Sequence, residues 1–87
     1  MKIKKGFVVR SIAGESVVVA LGEASRSFNG IIKLNETGRF LWDLLAEGAS
    51  SEELHARMME EYDVSSDIAK ADIEKFVSSL RGAGIIE

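Results

Sequence analysis

The chain has no cysteine and no proline, and only one histidine, one tryptophan and one tyrosine among its 87 residues. Without cysteine there can be no disulfide, no zinc–thiolate site and no cysteine nucleophile, a composition that suits a reducing compartment. Long apolar runs are missing too. Residues 17–21 are among the longest, far short of the ~20 that span a bilayer. The start, MKIKKGFVV, sets basic residues before only three apolar ones, whereas a signal peptide needs a longer apolar region and a cleavage site. The expectation is a soluble, cytoplasmic, unprocessed chain with no membrane partner. No glycine-rich phosphate loop is present, because Gly14, Gly22 and Gly30 are scattered. The lone His55 has no evident serine or cysteine partner, which argues against nucleophilic catalysis. A protein that is not an enzyme and holds no cofactor is expected.

What is present is enough for one small core. A length of 87 residues makes residues 1–87 a single domain, burying roughly 60% or a little more of its unfolded surface. The net charge of −3 is divided unevenly: residues 1–34 carry six Lys/Arg against two Glu, and residues 35–87 carry five against twelve Asp/Glu. The acidic part is the helical part, the wrong sign for a helix that meets phosphates.

The hydrophobic pattern divides the chain into strands and then helices. Residues 7–13 read as a strand, Ala13-Gly14-Glu15 as a tight turn, and residues 16–21 as a second strand whose continuous apolar run needs cover on both faces. Residues 22–27 are a polar loop. Residues 28–34 make a third strand, with Phe28, Gly30, Ile32 and Leu34 on one face and Asn29, Ile31 and Lys33 on the other. Asn35 then caps a helix directly, with Glu36 suiting its dipole. Phe40, Leu41, Leu44 and Leu45 form its apolar stripe, Trp42 flanks the stripe as core or core rim, and Gly48 fits the C′ position. Ser50 and Glu53 form a capping box for a second helix bearing Leu54, Met58 and Tyr62 on one face. Ser65 or Ser66 caps a third, with Ala69, Ile73, Phe76, Val77 and Leu80, ended by Gly82 and Gly84 before an apolar Ile85-Ile86 tail. The expected class is α+β, β-β-β-α-α-α: a three-stranded antiparallel sheet followed by a three-helix bundle, winged-helix-like. As an edge, the third strand has little protection beyond Lys33. An extended peptide can add to such an edge as a strand.

The ordered set IIKLNETGRFLWDLLAEGASSEELHARMMEEYDV and ADIEKFVSSLRGAGIIE resembles the coenzyme PQQ synthesis protein D family over essentially the whole chain. The resemblance implies a RiPP recognition element, a non-catalytic adaptor. Such domains bind the leader segment of a ribosomally made precursor peptide and present it to a modifying enzyme, often a radical SAM enzyme. It places the leader along the third strand and against the third helix. Carried onto this chain, the strand contributes Gly30, Ile31, Ile32, Lys33 and Leu34. On the helix over residues 66–81, helical spacing offers Lys70, Ile73, Glu74 and Val77, with Asp72, Lys75 and Ser79 on the alternative side. Members serving PQQ synthesis carry Cys-Asp-Gly after the first helix and an aromatic residue in the tail. This chain has Ala46-Glu47-Gly48 and Ile85-Ile86, so a stand-alone relative acting on another peptide is implied.

Other features have plainer readings. Glu52 and His55 are spaced as in di-metal carboxylate bundles, but such sites need further pairs, and a surface histidine beside a glutamate is the common case. Met59 rims the core. Glu60, Glu61 and Asp63 read as a solvated acidic face. Lys2, Lys4 and Lys5 read as a solubilising tail or as steering charge for an acidic leader. Two other functions fit the same outline. One is a winged-helix DNA-binding regulator, disfavoured by three basic and three acidic residues over 66–81. The other is a homodimeric structural subunit in which the third strand pairs with its copy.

Overall fold

The computed structural model describes residues 1–27 and 31–86. The elements run β1 (Phe7–Ile12), β2 (Glu15–Ala20), α1 (Ala24–Ser27), β3 (Ile32–Leu34), α2 (Glu36–Ala46), α3 (Ser51–Glu61) and α4 (Ser66–Gly82). The three strands form one antiparallel sheet in the order β1-β2-β3, so the expected α+β arrangement holds. Two boundaries differ. β3 begins at Ile32, and the predicted strand positions 28–30, Gly30 among them, lie outside the described residues. Residues 22–27, expected as loop, include the one-turn helix α1. There the Gly22 carbonyl accepts both the backbone N–H and the hydroxyl of Ser25, at 3.1 and 2.6 Å. A serine that bonds back to the chain this way closes a turn without any apolar periodicity to announce it.

The β1–β2 hairpin turns on two residues, Ala13 and Gly14, at φ +52° and +80°. Positive φ at both positions is the type I′ geometry that matches strand twist. Gly14 adopts it freely and Ala13 does not. β2 is the central strand, with Val17 and Val18 both buried, as its continuous apolar run requires. Val18 joins the main core. Val17 lies on the other face, between its register partners Arg10 and Lys33, whose long aliphatic stems can cover it.

The helices close the other face of the sheet. Leu41, Trp42 and Leu45 from α2, Leu54 and Met58 from α3, and Ala69, Ile73, Val77 and Leu80 from α4 are buried together with Val18. Trp42 is therefore core, and Met59 is exposed at the rim. The capping box is formed, with Glu53 N–H donating to Ser50 Oγ at 3.1 Å and Ser50 N–H to Glu53 Oε1 at 3.3 Å. α4 ends in a Schellman arrangement: Gly84 N–H donates to the Arg81 carbonyl and Ile85 N–H to the Leu80 carbonyl. Gly84 sits at φ +76° to allow it. The turn buries Ile85 and Ile86, and the Lys4 N–H donates to the Ile85 carbonyl beside an Ile3–Ile86 bridge. Lys2, Lys4 and Lys5 thus sit on a segment tied to the C-terminal tail.

Two stability measurements follow. Ala13→Asn should raise stability by about 1 kcal/mol, because Asn tolerates the left-handed conformation. Gly84→Ala should lower it by about 1 kcal/mol or more, since the added Cβ opposes the φ that seats Ile85. Urea unfolding at unchanged m-value measures both.

Candidate functional site

The strand-to-helix junction positions the site. Leu34 ends β3, Asn35 is the single linking residue, and α2 starts at Glu36. Asn35 Oδ1 accepts the Gly38 N–H at 2.7 Å. A Cβ on residue 38 would lie 3.1 Å from that oxygen and 3.5 Å from a Leu34 methyl, so the glycine lets strand end and helix start close up. Above this turn, Phe40 meets Tyr62 edge-on at 5.4 Å between ring centroids. Burial, then the carboxylates of Glu36 and Glu61, push the Tyr62 phenol above its usual pKa, partly offset by a hydrogen bond with Thr37.

The register decides which backbone groups of β3 are already used. A two-residue turn closes the first hairpin on Ile12 and Glu15, so Glu15 and Val17 direct their N–H and C=O groups at β1. Ser16 and Val18 direct theirs the other way, at Leu34 and Ile32. Lys33, opposite Val17, and by the same alternation Ile31 are left with N–H and C=O groups facing away from the sheet. No strand lies beyond β3 among the described residues. Side chains follow the same alternation. Ile32 and Leu34 pack on the core, while Ile31 is 65% exposed and Lys33 reaches Glu15 at 3.3 Å as an exposed ion pair.

Beside this edge lies an open groove of about 1020 Å³. One wall is β3 and the first turn of α2. The other is α4, through Asp72, Lys75, Phe76 and Ser79, with Leu41 and Leu80 in its floor. Arg39 stands at the rim, with Nε donating to Asp43 at 3.1 Å and one terminal nitrogen to Ser16 Oγ at 3.3 Å.

The sequence reading therefore divides. Ile31, Ile32, Lys33 and Leu34 are at or beside the groove edge, and Gly30 lies outside the described residues. Lys70, Ile73, Glu74 and Val77 do not share the groove with β3. They line a separate cleft of about 490 Å³ between α3 and α4, with Glu52, His55 and Ser66. The reason is the width of the α4 stripe. Ile73 and Val77 are buried on its α3 flank, whereas the half-buried Phe76 marks the flank toward β3. The alternative side, Asp72, Lys75 and Ser79, is the one that faces the strand. By periodicity Phe76 belongs to the core stripe, and its place at the angular edge of that stripe, on the side of Asp72 and Ser79, is the available signal.

In the second cleft, His55 Nε2 lies 3.1 Å from Ser66 Oγ and 3.3 Å from the Ser66 carbonyl oxygen. This serine partner, not evident from the sequence because Ser66 is eleven residues away, ties α3 to the start of α4. Among the described residues no cluster of three or more His, Cys, Asp or Glu could hold a metal ion, and no helix is long and apolar enough to cross a membrane.

Comparison with known proteins places the fold among solved structures. A solved structure described as TbiB1 in complex with the TbiA(beta) leader peptide is 28% identical, covering 100% of this chain and 95% of its own, with a TM-score of 0.79. A second, lasso peptide synthetase B1 complexed with the leader peptide, shares the fold at 23% identity, 99% and 95% coverage and a TM-score of 0.78. No curated protein sequence matches. The family model for coenzyme PQQ synthesis protein D (PqqD) matches residues 15–86, from the start of β2 to the buried tail. The chain belongs to the PqqD family.

Proposed function

We propose that this protein is a non-catalytic adaptor. It binds the leader segment of a ribosomally synthesised precursor peptide as an added strand on β3, and so presents the peptide to a modifying enzyme in the cytoplasm. The carrying observation is the outward N–H and C=O pair of Lys33, which the alternation extends to Ile31, beside a groove with an apolar floor. Main-chain bonds at an edge give affinity for any extended chain, and alternate side chains entering a groove give selection. The leader complex of the 28% identical TbiB1 supports the same reading. A radical SAM enzyme is one modifying partner the family suggests. In this reading the leader contacts Ile31, Ile32, Lys33 and Leu34 on one side and Asp72, Lys75, Phe76 and Ser79 on the other. Lys70, Ile73, Glu74 and Val77 remain outside the contact. Duplex DNA suits α4 poorly, since Lys70, Lys75 and Arg81 are matched by Asp67, Asp72 and Glu74.

Adjacent exposed serines on α4 separate the two clefts: Ser79 lines the groove beside β3 and Ser78 the cleft beside α3. Titration calorimetry with leader peptides of candidate precursors should show Ser79→Trp weakening binding by at least about tenfold, as overfilling a packed contact does. Ser78→Trp should stay within about twofold. The reverse pattern would place the peptide between α3 and α4.

Ile31→Pro removes one outward N–H and leaves the β2–β3 ladder intact. It should fold normally by circular dichroism and lose about tenfold in affinity for the same peptides. Unchanged binding by the folded variant would rule out strand addition at this position.

A further inference from the structure

The exposed face of the edge strand has a chemistry of its own. Ile31 and Lys33 share the parity that points away from the helices, and they are the positions whose backbone groups face outward. An antiparallel strand pairing here exchanges both hydrogen bonds with Lys33, which sets a peptide side chain directly opposite it, Cβ to Cβ within about 5.5 Å. Two residues further along the peptide, a side chain falls opposite Ile31, the most exposed large apolar residue among those described. The residue between these two pairs with Ile32 and points to the other face, into the groove over Phe76 and Leu41.

Lys33 is positioned to accept a carboxylate. Its ammonium lies 3.3 Å from Glu15, with the two side chains 72% and 58% exposed. An ion pair so open to water is weak and exchangeable, so a peptide carboxylate can share or replace Glu15. On its other flank Lys33 is aligned with Val17 and, beyond that, Arg10. A basic peptide residue at this position would therefore meet like charge.

We propose that Ile31 and Lys33 select the bound segment from its outward face, favouring an acidic, apolar, apolar triplet read from N- to C-terminus. The acid pairs with Lys33, the middle residue enters the groove and the last residue covers Ile31. Antiparallel addition sets the order, since the partner of Lys33 must precede the partner of Ile31 in the peptide. This inference rests on strand addition to β3 and names the determinants within it.

The test uses a phage-displayed library of random dodecapeptides, selected in parallel on the full-length protein and on Lys33→Glu. The substitution is at an exposed side chain, and circular dichroism checks that it folds. The wild type should enrich Asp or Glu two residues before an aliphatic or aromatic residue, and Lys33→Glu should enrich Lys or Arg at the same place. A synthetic peptide with its acid changed to Lys should bind the wild type roughly three- to tenfold more weakly and regain affinity for Lys33→Glu, the size expected of a cross-strand charge pair. Enriched peptides with the same preference on both proteins, or with no acid in that position, would overturn the outward-face selection while leaving strand addition standing. No enriched peptide on either protein would overturn peptide binding itself.

Discussion

The junction at Asn35 is the constraint on which the rest of the structure depends. One residue joins β3 to α2, and the Asn35 Oδ1–Gly38 N–H bond at 2.7 Å leaves little freedom in how the strand meets the helix. α2 carries Leu41, Trp42 and Leu45 into the core, so the edge strand is anchored by helix packing rather than by its three ladder residues alone. A strand this short would otherwise fray, because few hydrogen bonds and little apolar area oppose its conformational entropy. Docking to a rigid helix keeps its outer backbone groups extended while no second strand covers them among the described residues.

From that anchor the groove follows. α4 lies over the core through Ala69, Ile73, Val77 and Leu80, and the tail behind it is locked by the turn at Gly84 and the burial of Ile85 and Ile86. The helix is therefore a fixed second wall. Both walls are made by elements that the core already orders, so an entering peptide bears most of the ordering cost itself. Alternating side chains of a strand added at this edge would face the groove and the solvent in turn. The one histidine, His55, lies against Ser66 in the other cleft.

Much of this architecture could be read in the residues. Asn35, Ser50 with Glu53, and the pair Ser65 or Ser66, of which Ser65 is the cap, mark helix starts because capping is a local interaction between neighbours in sequence. The alternation Ile31, Ile32, Lys33, Leu34 gave the two faces of the edge strand, which the exposure of Ile31 and the packing of Ile32 and Leu34 match. What could not be read was of another kind. α1 depends on side-chain and backbone bonds at Gly22 and Ser25, with no periodic signal. The flank of α4 that faces β3 could not be taken from periodicity. A stripe identifies the residues that point inward, but the neighbour met at each side of it is a property of tertiary packing. Ile73 and Val77 went to α3, and Phe76 to the groove.

Amide hydrogen exchange, followed residue by residue with and without a bound leader peptide, tests the central claim most directly. If the peptide adds to the edge of β3, the N–H groups of Ile32 and Leu34 are protected in the free protein by their ladder with β2. Those of Ile31 and Lys33 exchange fast when free and become protected on binding. Protection that appears instead along the α3–α4 cleft, with Ile31 and Lys33 still exchanging at their free rates, would contradict the account.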